Sequence, residues 1–171
     1  EANWLEKRKE EDENSVSNQI AGIDPVAENT TTDISKSVVE GEWLTPGDTE
    51  GIVIGAAYLD EYSRISDIVS LLHDVHPGSM VRVTVSKTPT FVSFEQALSP
   101  PNEAAQLEGD VIVTKDFIVR GIIDSKVQYV ASRAYILDSE LRKMLGKTDL
   151  DASEIAITVI PGASPYDVKT P

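Results

Sequence analysis

The sequence predicts an α+β domain in which a mixed, largely antiparallel sheet carries three or four short helices. Short β-branched segments outnumber helical patterns along the 171 residues. Several of these segments alternate apolar and polar residues, which is the period of a half-buried strand. The helical patterns fall between them without the regular spacing of βαβ units, which argues against a uniformly parallel sheet. The length suits one domain that buries a real core.

Residues 40–55 organise the rest of the chain. Gly41 tolerates a positive φ and is suited to end a preceding helix. Residues 46–48 (Pro-Gly-Asp) predict a reverse turn, because proline presets φ at the first corner and glycine tolerates the second. The β-branched run 52–54 predicts a short strand buried on both faces. No residue in this stretch stands out as a nucleophile, metal ligand or phosphate cradle, so the stretch describes a scaffold.

Ahead of this stretch, residues 6–14 form a dense run of mixed charge. We interpret the run as a solvated hairpin tip between a strand near residue 4 and a strand over residues 16–23, because charge runs usually face solvent. A partner-binding tip and a disordered segment are the alternatives. The basic residues of the run are Lys7, Arg8 and Lys9. Asp24 ends the second strand, since a residue before proline stays extended.

Three helices are predicted around the buried strand. Residues 33–40 form the first, with a threonine cluster as its N-cap and with Ile34 and Val38 on one face. A second opens at Gly55, where small residues allow a helix to approach a strand closely. A third is capped by Ser66. Its apolar residues are Ile68, Val69, Leu71, Leu72 and Val75.

His73 and His76 are the only histidines and follow at the end of the predicted third helix. A pair spaced i, i+3 can share a metal ion on one helical face, but the sequence shows no third ligand. Cationic histidines also suit a helix C-terminus, where the dipole favours positive charge. We therefore favour a structural role over a metal site and predict no bound metal.

The middle of the chain contains two strands and an excursion between them. Residues 80–86 alternate valines with polar residues, which predicts a half-buried strand. Residues 87–110 form a proline-containing excursion. Phe91 and Phe94 within it are expected to anchor the loop to the core; the alternative is a contact surface for a partner, since long loops are often functional. Residues 111–123 predict either a hairpin that turns at residues 115–116 or one long strand, and we favour the long strand.

The remaining elements follow in order. Residues 129–130 and 134–137 predict another extended segment. A helix over 139–145 has a complete set of end signals, because an aspartate precedes it, basic residues fill its last turn and Gly146 follows it. Residues 154–160 alternate again and predict a last strand.

Composition and motifs exclude several functions. The net charge of −14 repels phosphate backbones and argues against nucleic-acid binding. Zero cysteines exclude disulfides and cysteine catalysis, and no hydrolase or zinc motif is present, so we predict no catalytic residue and no cofactor. Asn29 begins an Asn-x-Thr sequon on a predicted polar loop. An accidental match and a glycosylated asparagine both stay open. With no initiator methionine, no signal peptide and no apolar run of roughly 20 residues, we expect a soluble piece of a longer protein.

Four segments carry a resemblance to a known family. Residues 40–55 read acidic-Gly-x-Trp-Leu-x-x-Gly-Asp-x-x-Gly-Ile-Val-Ile-Gly, and residues 20–25 read Ile-Ala-Gly-Ile-Asp-Pro. Residues 117–123 read Phe-Ile-Val-Arg-Gly-Ile-Ile, and residues 135–159 complete the set. In this order, over residues 16–162, they resemble the extracytoplasmic domain of the ABC-transporter permease family that includes MacB, LolC, LolE and FtsX. One departure is Gly-Ser where the family has Gly-Asp before the strand over 80–86.

The resemblance implies a single extracytoplasmic domain over residues 1–171, with a βαβ-like half and a β-rich half, taken from a longer membrane protein. It implies that a separate cytoplasmic ABC ATPase hydrolyses ATP and that the chain's own transmembrane helices pass the conformational change to this domain. The permease would work in the cell membrane as a homo- or heterodimer, and the domain would engage a substrate or partner protein outside. The alternative is a stand-alone adhesion or structural module of the cell surface.

Overall fold

A six-stranded mixed sheet organises the described part of the chain in this computed structural model. The structure describes residues 14, 16, 19–62, 71–87, 111–148 and 152, with the backbone alone for residues 87 and 111. The strands are β1 (Gln19–Ile23), β2 (Val38–Gly41), β3 (Gly51–Gly55), β4 (Met80–Lys87), β5 (Val111–Ile123) and β6 (Arg133–Leu137). The α-helices are α1 (Pro25–Thr32), α2 (Gln128–Ala131) and α3 (Asp138–Leu145), and two 3₁₀ turns cover Ile34–Ser37 and Ala56–Tyr58.

Strand β5 is the centre of the sheet because three other strands hydrogen-bond to it. β3 pairs with it in parallel on one edge, and β4 and β2 pair antiparallel with successive parts of the other edge. β6 joins β3 antiparallel, and β1 joins β6 in parallel. The resulting order is β1–β6–β3–β5–β2, with β4 also beside β5. A mixed sheet with more antiparallel than parallel pairings confirms the predicted α+β class.

Strand β3 is buried at every position. It lies between β6 and β5, so its backbone is hydrogen-bonded on both edges. Ile52 and Ile54 face one apolar core, and Val53 faces the other. The prediction of a strand buried on both faces is confirmed, because a β-branched run without polar alternation needs cover on each side.

The two faces of the sheet are covered differently. On one face, Met144 of α3 belongs to the same buried cluster as Phe117 and Ile136. On the other face, Trp43 from the loop after β2 packs against Tyr135 with ring centroids 5.8 Å apart. The sheet therefore has one helical cover and one cover built mainly from loops and short turns.

β4 and the first part of β5 form a two-stranded ribbon, comprising residues 80–87 and 111–117. Among the described strands only β4 pairs with this part of β5, since β3 joins β5 from Ile118 onward. In β4 the valines point towards the core and the residues between them are exposed. The inward residues are Val81, Val83 and Val85, and the exposed ones are Arg82, Thr84 and Ser86. The predicted alternation over 80–86 and the single long strand over 111–123 are both confirmed.

The predicted helix over residues 33–40 is wrong. A 3₁₀ turn over Ile34–Ser37 leads into β2, because the following residues pair with β5. Ile34 and Val38 still reach the same core, as their spacing suggested. Gly41 has the expected positive φ, at 70°, but it lies at the end of a strand and not after a helix.

Two further helices are also absent where the structure can test them. The segment that opens at Gly55 forms a single 3₁₀ turn over Ala56–Tyr58. Residues 71–76 are not helical, and Leu72 instead forms an isolated parallel bridge with Leu59. The apolar residues of these segments are buried from an irregular backbone, which spacing along the sequence could not distinguish from a short helix.

Helix α1 over Pro25–Thr32 is an addition to the prediction, which had placed a polar loop there. Asp24 caps it, and its Oδ1 accepts hydrogen bonds from the backbone N–H groups of Val26 at 2.9 Å and Ala27 at 3.1 Å. Asp24 also ends β1, as predicted. The threonine cluster, predicted to cap a helix over 33–40, instead forms the last turn of α1 and caps nothing.

The last two helices differ from prediction in smaller ways. Residues 129–130 lie in α2 and are not extended. Helix α3 begins at Asp138 itself, whose carboxylate accepts a hydrogen bond from Arg142 Nε at 2.7 Å and does not cap the backbone. An acidic residue in the first turn still complements the helix dipole. Gly146 ends the helix with φ 65°, as predicted.

Several predictions lie outside the described residues. They concern the strand near residue 4, the hairpin tip at 6–14, the capping residue Ser66, the excursion over 88–110 and the strand over 154–160.

Candidate functional site

Most of the organising stretch, residues 41–51, packs closely against residues 118–121, which residues 78–80 also contact. We call these three ranges together the junction. Here β2, β3 and β4 all meet β5 around Arg120. The Arg120 carbonyl accepts the N–H of Glu42 at 2.9 Å, and the N–H of Ile118 donates to the Glu50 carbonyl at 2.7 Å. Opposite β3 the pairing skips Arg120, which makes it the extra residue of a β-bulge. A bulge redirects a side chain, and this one directs the guanidinium towards the turn at 45–48.

Glycines allow the backbones of the junction to approach one another. A Cβ atom at Gly41 would lie 2.1 Å from the Arg120 carbonyl oxygen, and a Cβ at Gly121 would lie 2.6 Å from the Glu42 carbonyl oxygen. At Gly41 the positive φ excludes most side chains as well. The glycines of the motif are therefore explained by packing of the fold and not by a ligand.

Asp48 holds the turn of the junction. Its Oδ2 accepts hydrogen bonds from the Thr45 N–H and the Thr45 hydroxyl, both at 2.7 Å, and its Oδ1 lies 3.4 Å from Arg120 Nε. Burial raises the pKa of the Asp48 carboxyl, but the hydrogen bonds from Thr45 and the charge of Arg120 outweigh it and hold that pKa below its ordinary value of 3.8. The predicted Pro-Gly-Asp turn is confirmed, with Asp48 as its fastening residue.

A shallow pocket of about 220 Å³ opens beside Arg120. The Nε atom of Arg120 is buried and makes no hydrogen bond to any described residue. The approach to Asp48 at 3.4 Å is thus an electrostatic contact without hydrogen-bond geometry. A second carboxylate, Glu42, lies 3.6 Å from the other end of the guanidinium, and Glu50 lines the pocket. With the carboxylates of Glu42 and Asp48 beside this one cation, the pocket is not suited to an anion.

A buried carboxylate joins α3 to the ribbon. Glu140 is 5% exposed, and its oxygens accept hydrogen bonds from Lys115 at 2.7 Å and Lys143 at 2.5 Å. Lys115 also donates to the Thr49 carbonyl at 2.8 Å. The hydrogen bonds from Lys115 and Lys143 lower the pKa of Glu140 below its ordinary 4.5, against the effect of burial. The network ties helix, ribbon and junction together, and two lysines compensate the one buried carboxylate, as a structural ion cluster requires.

An apolar groove of about 520 Å³ runs over the α3-side face of the sheet. Its described lining is mostly aliphatic and includes Ile20, Ile52, Leu72, Val75, Val81 and Ala134. Asn14, Arg82 and Thr84 supply polar groups, and among the described lining residues only Arg82 is charged. Apolar walls with a few polar groups suit binding, whereas a base and a nucleophile within reach of each other are not found in this lining.

The two histidines lie beside one wall of the groove. His73 Nδ1 is 3.1 Å from Asp60 Oδ2, and His76 Nε2 is 3.5 Å from both Glu61 Oε1 and Asp74 Oδ1. Each histidine thus has its own acidic partners, and the predicted shared helical face does not exist. Among the described residues no group of three or more acidic, histidine or cysteine side chains could hold a metal ion.

Tyr62 extends this polar surface towards β2. Its hydroxyl donates a hydrogen bond to Glu40 Oε1. That hydrogen bond, together with burial and the charges of Glu40, Glu61 and Asp124, raises the pKa of the Tyr62 hydroxyl to about 12. The sequence reasoning missed this contact, because nothing in the spacing of Glu40 and Tyr62 relates them.

The sequence-predicted contact residues are not brought together in the described part of the chain. Lys7, Arg8, Lys9, Phe91 and Phe94 all lie outside it. Asn29, the sequon residue, lies in α1 and is partly buried. Its Oδ1 accepts hydrogen bonds from the Ser35 backbone and hydroxyl, which gives the side chain a structural use at the end of the helix.

Comparisons with known proteins add no relative. No protein-family model matches the chain, and a search among curated proteins finds no significant match. Within the described ranges, none of the helices combines the length and the apolar character needed to cross a membrane.

Proposed function

We propose that the chain is the non-catalytic extracytoplasmic domain of an ABC-type permease of the export or lipoprotein-release type. One observation supports this most strongly: the segments that resemble the MacB, LolC, LolE and FtsX family all contribute to the sheet's main path. Residues 20–25 run through β1, and residues 40–55 include the end of β2 and all of β3. Residues 117–123 are the second part of β5, and residues 135–159 begin in β6.

These segments are distant in the sequence and adjacent in space. β1 pairs with β6 along its whole length, and β3 pairs with both β5 and β6. The glycines of two segments meet at the junction, where Gly41 and Gly121 each exclude a Cβ. Because every described strand belongs to this one sheet, sharing the sheet is expected of any strand. The more specific support is that Gly41 and Gly121, from two of the resembling segments, each leave room for the backbone of the other segment.

The scaffold suits a domain that is moved as one body. A strand buried on both faces and the Lys115–Glu140–Lys143 network join sheet, ribbon and helix. In the proposed function a separate cytoplasmic ATPase supplies the work, and the chain's own transmembrane helices, in a homo- or heterodimeric permease, transmit it. A rigid core carries that displacement to contact residues at its edge. The acidic surface favours cationic or zwitterionic partners over nucleic acid.

The ribbon indicates where such contacts would be carried. Residues 87 and 111 are paired neighbours at one end of the ribbon, and residues 88–110 follow the first and precede the second in the sequence. We propose Phe91 and Phe94 in that segment, and Lys7, Arg8 and Lys9 near the start of the chain, as contacts with a substrate or partner protein outside the membrane.

The first test is affinity purification of the tagged full-length parent protein in detergent, followed by mass spectrometry. We expect a nucleotide-binding ATPase in stoichiometric amount, and the same purification from an unrelated tagged membrane protein controls for carry-over. Absence of an ATPase, with the chain tethered by one membrane helix or none, would overturn the permease and favour the adhesion module.

The second test separates the contacts from the coupling. The double substitution F91A/F94A in the full-length protein should abolish capture of a partner by photo-crosslinking and leave the ATPase bound. Val26→Ala, an exposed apolar truncation on α1 that touches neither the ribbon nor the groove, is the control and should alter neither. If F91A/F94A left partner capture intact, these phenylalanines would be anchors of the loop and not contacts.

A further inference from the structure

We propose that the segments at 58–62 and 72–76 form a proton-dependent clasp, which closes more firmly as pH falls and holds one wall of the sheet groove. The clasp consists of Asp60, Glu61, His73, Asp74 and His76. The inference concerns the domain itself and does not depend on the proposed permease function.

The backbone of the clasp is held by few hydrogen bonds. The Leu72 N–H donates to the Tyr58 carbonyl at 2.8 Å, and the Asp60 N–H donates to the Leu72 carbonyl at 3.1 Å. These make the isolated bridge between Leu59 and Leu72, which lies outside the six strands of the sheet. A bridge this short opens locally more easily than a strand within the sheet.

The side chains of the clasp join the same two segments. His73 faces Asp60 at 3.1 Å, and His76 faces Glu61 at 3.5 Å across the bridge and Asp74 at 3.5 Å on its own segment. All the described charged side chains in contact with the two imidazoles are therefore carboxylates. Glu40 and Asp124 add negative charge on the far side of Tyr62. The Asn14 side chain also bonds the His73 backbone, through a neutral amide that does not change with pH.

The direction of the pH effect follows from these charges. Histidine is the side chain whose charge ordinarily changes between pH 5 and 8, whereas carboxyl groups in general stay ionised above about pH 5. When the imidazoles are neutral, no attraction between opposite charges joins the two segments, and a hydrogen bond between His73 and Asp60 is a neutral-donor one. When the imidazoles are protonated, each faces a carboxylate of the other segment and attraction between opposite charges crosses the bridge. Acidification thus stabilises the closed clasp.

The clasp bears on the groove because its bridging segment supplies two lining residues. Leu72 and Val75 lie on either side of His73 and both line the groove. Val75 belongs to the buried core, whereas the His73 and His76 side chains are 56% and 44% exposed. Opening of the bridge would therefore loosen this apolar wall of the groove. Because the two imidazoles are exposed, protons from the solvent reach them directly.

Hydrogen exchange of single backbone amides tests the clasp in the 171-residue chain. NMR gives the exchange rates of the Asp60 and Leu72 N–H groups at pH 8 and pH 5.5. The intrinsic rate of each group divided by its measured rate is the protection factor at that pH. Exposed ion pairs are individually weak, so we expect protection to rise about fivefold at pH 5.5. The Gly146 amide, which donates to the Lys143 carbonyl at the end of α3 and opens by local fraying away from the clasp, is the control and should not show this rise.

Two sets of variants decide the outcome. H73Q/H76Q should show the same protection at both pH values, because neither glutamine takes up a proton. D60N/E61Q keeps both histidines but removes the charges of their partners on the other segment. It should flatten the pH dependence of the protection factors to nearly the same extent, and it replaces the first variant if that variant fails to fold. An unchanged rise in either folded variant, or no rise in the wild type, would overturn the clasp.

Discussion

The junction and the ribbon are built from the same strand, β5, yet they follow different rules. At the junction, backbones approach until only glycine fits, and β3 is buried at all its positions. Along the ribbon, valines alternate with exposed polar residues, and Arg82 pairs with Asp116 on the solvent side at 2.7 Å. One part is specified by close contact between backbones, and the other by burial of a single face.

The comparison shows how little the most distinctive motif has to do with a ligand. Gly41, Asp48 and Gly121 are each accounted for by a contact inside the fold. The ribbon, the clasp and the groove carry no distinctive sequence motif, yet they hold the exposed groups with which another molecule could interact. We expect substitutions at the junction to cost stability, and substitutions on the ribbon and at the clasp to alter binding or pH dependence.

The largest expected effect is at Gly41. Gly41→Ala should destabilise the domain by about 3 kcal/mol or more, because the new Cβ would lie 2.1 Å from a backbone oxygen at a residue with φ 70°. Urea denaturation followed by tryptophan fluorescence gives the free energy of unfolding, since Trp43 lies in the adjacent core.

Gly47→Ala is the matched control for this change. Gly47 lies in the same stretch, but a Cβ there would meet no atom within 4 Å. The free energy of unfolding should change by less than about 0.5 kcal/mol. Equal effects at the two glycines would contradict the account of the junction as a contact between backbones.

The next effect is at Glu140. Glu140→Gln should lower the free energy of unfolding by about 2 kcal/mol at pH 7, because Lys115 and Lys143 lose a buried charge partner. Asp116→Asn, next to Lys115 on β5, removes a carboxylate whose partner Arg82 is exposed. It should move the urea midpoint too little to measure, because exposed pairs contribute little.

The stability difference between wild type and Glu140→Gln should also depend on pH, and the direction of that dependence tests whether the effect is electrostatic. The folded-state pKa of Glu140 is lowered below 4.5 by Lys115 and Lys143, so its ionised form stabilises the fold above that pH. The stabilisation is lost as pH falls through the folded-state pKa. The difference between wild type and Glu140→Gln should therefore narrow as pH falls below about 4.5, and a constant difference would exclude an electrostatic origin.

The smallest effect is at Tyr62, beside the clasp. The hydrogen bond to Glu40 raises the pKa of Tyr62 from 10.0 to about 12, so ring NMR signals should report a protonated Tyr62 at pH 10.5. In Glu40→Gln the ring should ionise at a lower pH than in the wild type, although burial and the charges of Glu61 and Asp124 still raise the pKa of Tyr62. Because the raised pKa belongs to the folded state, this contact stabilises the fold below about pH 10 and is lost as pH rises through about 12. An unchanged titration would mean that Glu40 does not accept this hydrogen bond.

Sequence reasoning predicted best those elements whose pattern is local and long. Local residue patterns were enough to predict the buried run in β3, the alternation in β4, the long β5 and the end of α3 at Gly146. It failed for short segments such as 33–40 and 71–76, where apolar residues four apart fit a helix or an irregular buried chain equally well. The pairing of residues with β5 and the bridge to Leu59 decided those cases, and neither contact leaves a local signal.

By itself the sequence determined the α+β class, the strands and turn of the organising stretch, and the absence of cysteine chemistry, because these depend on residue type and short-range spacing. Only the tertiary structure decided why Gly41 and Gly121 must be glycine, which carboxylate neutralises Lys115, and which acids each histidine faces. Those contacts join residues far apart in the chain, and their geometry exists only once β2, β3 and β4 have met β5.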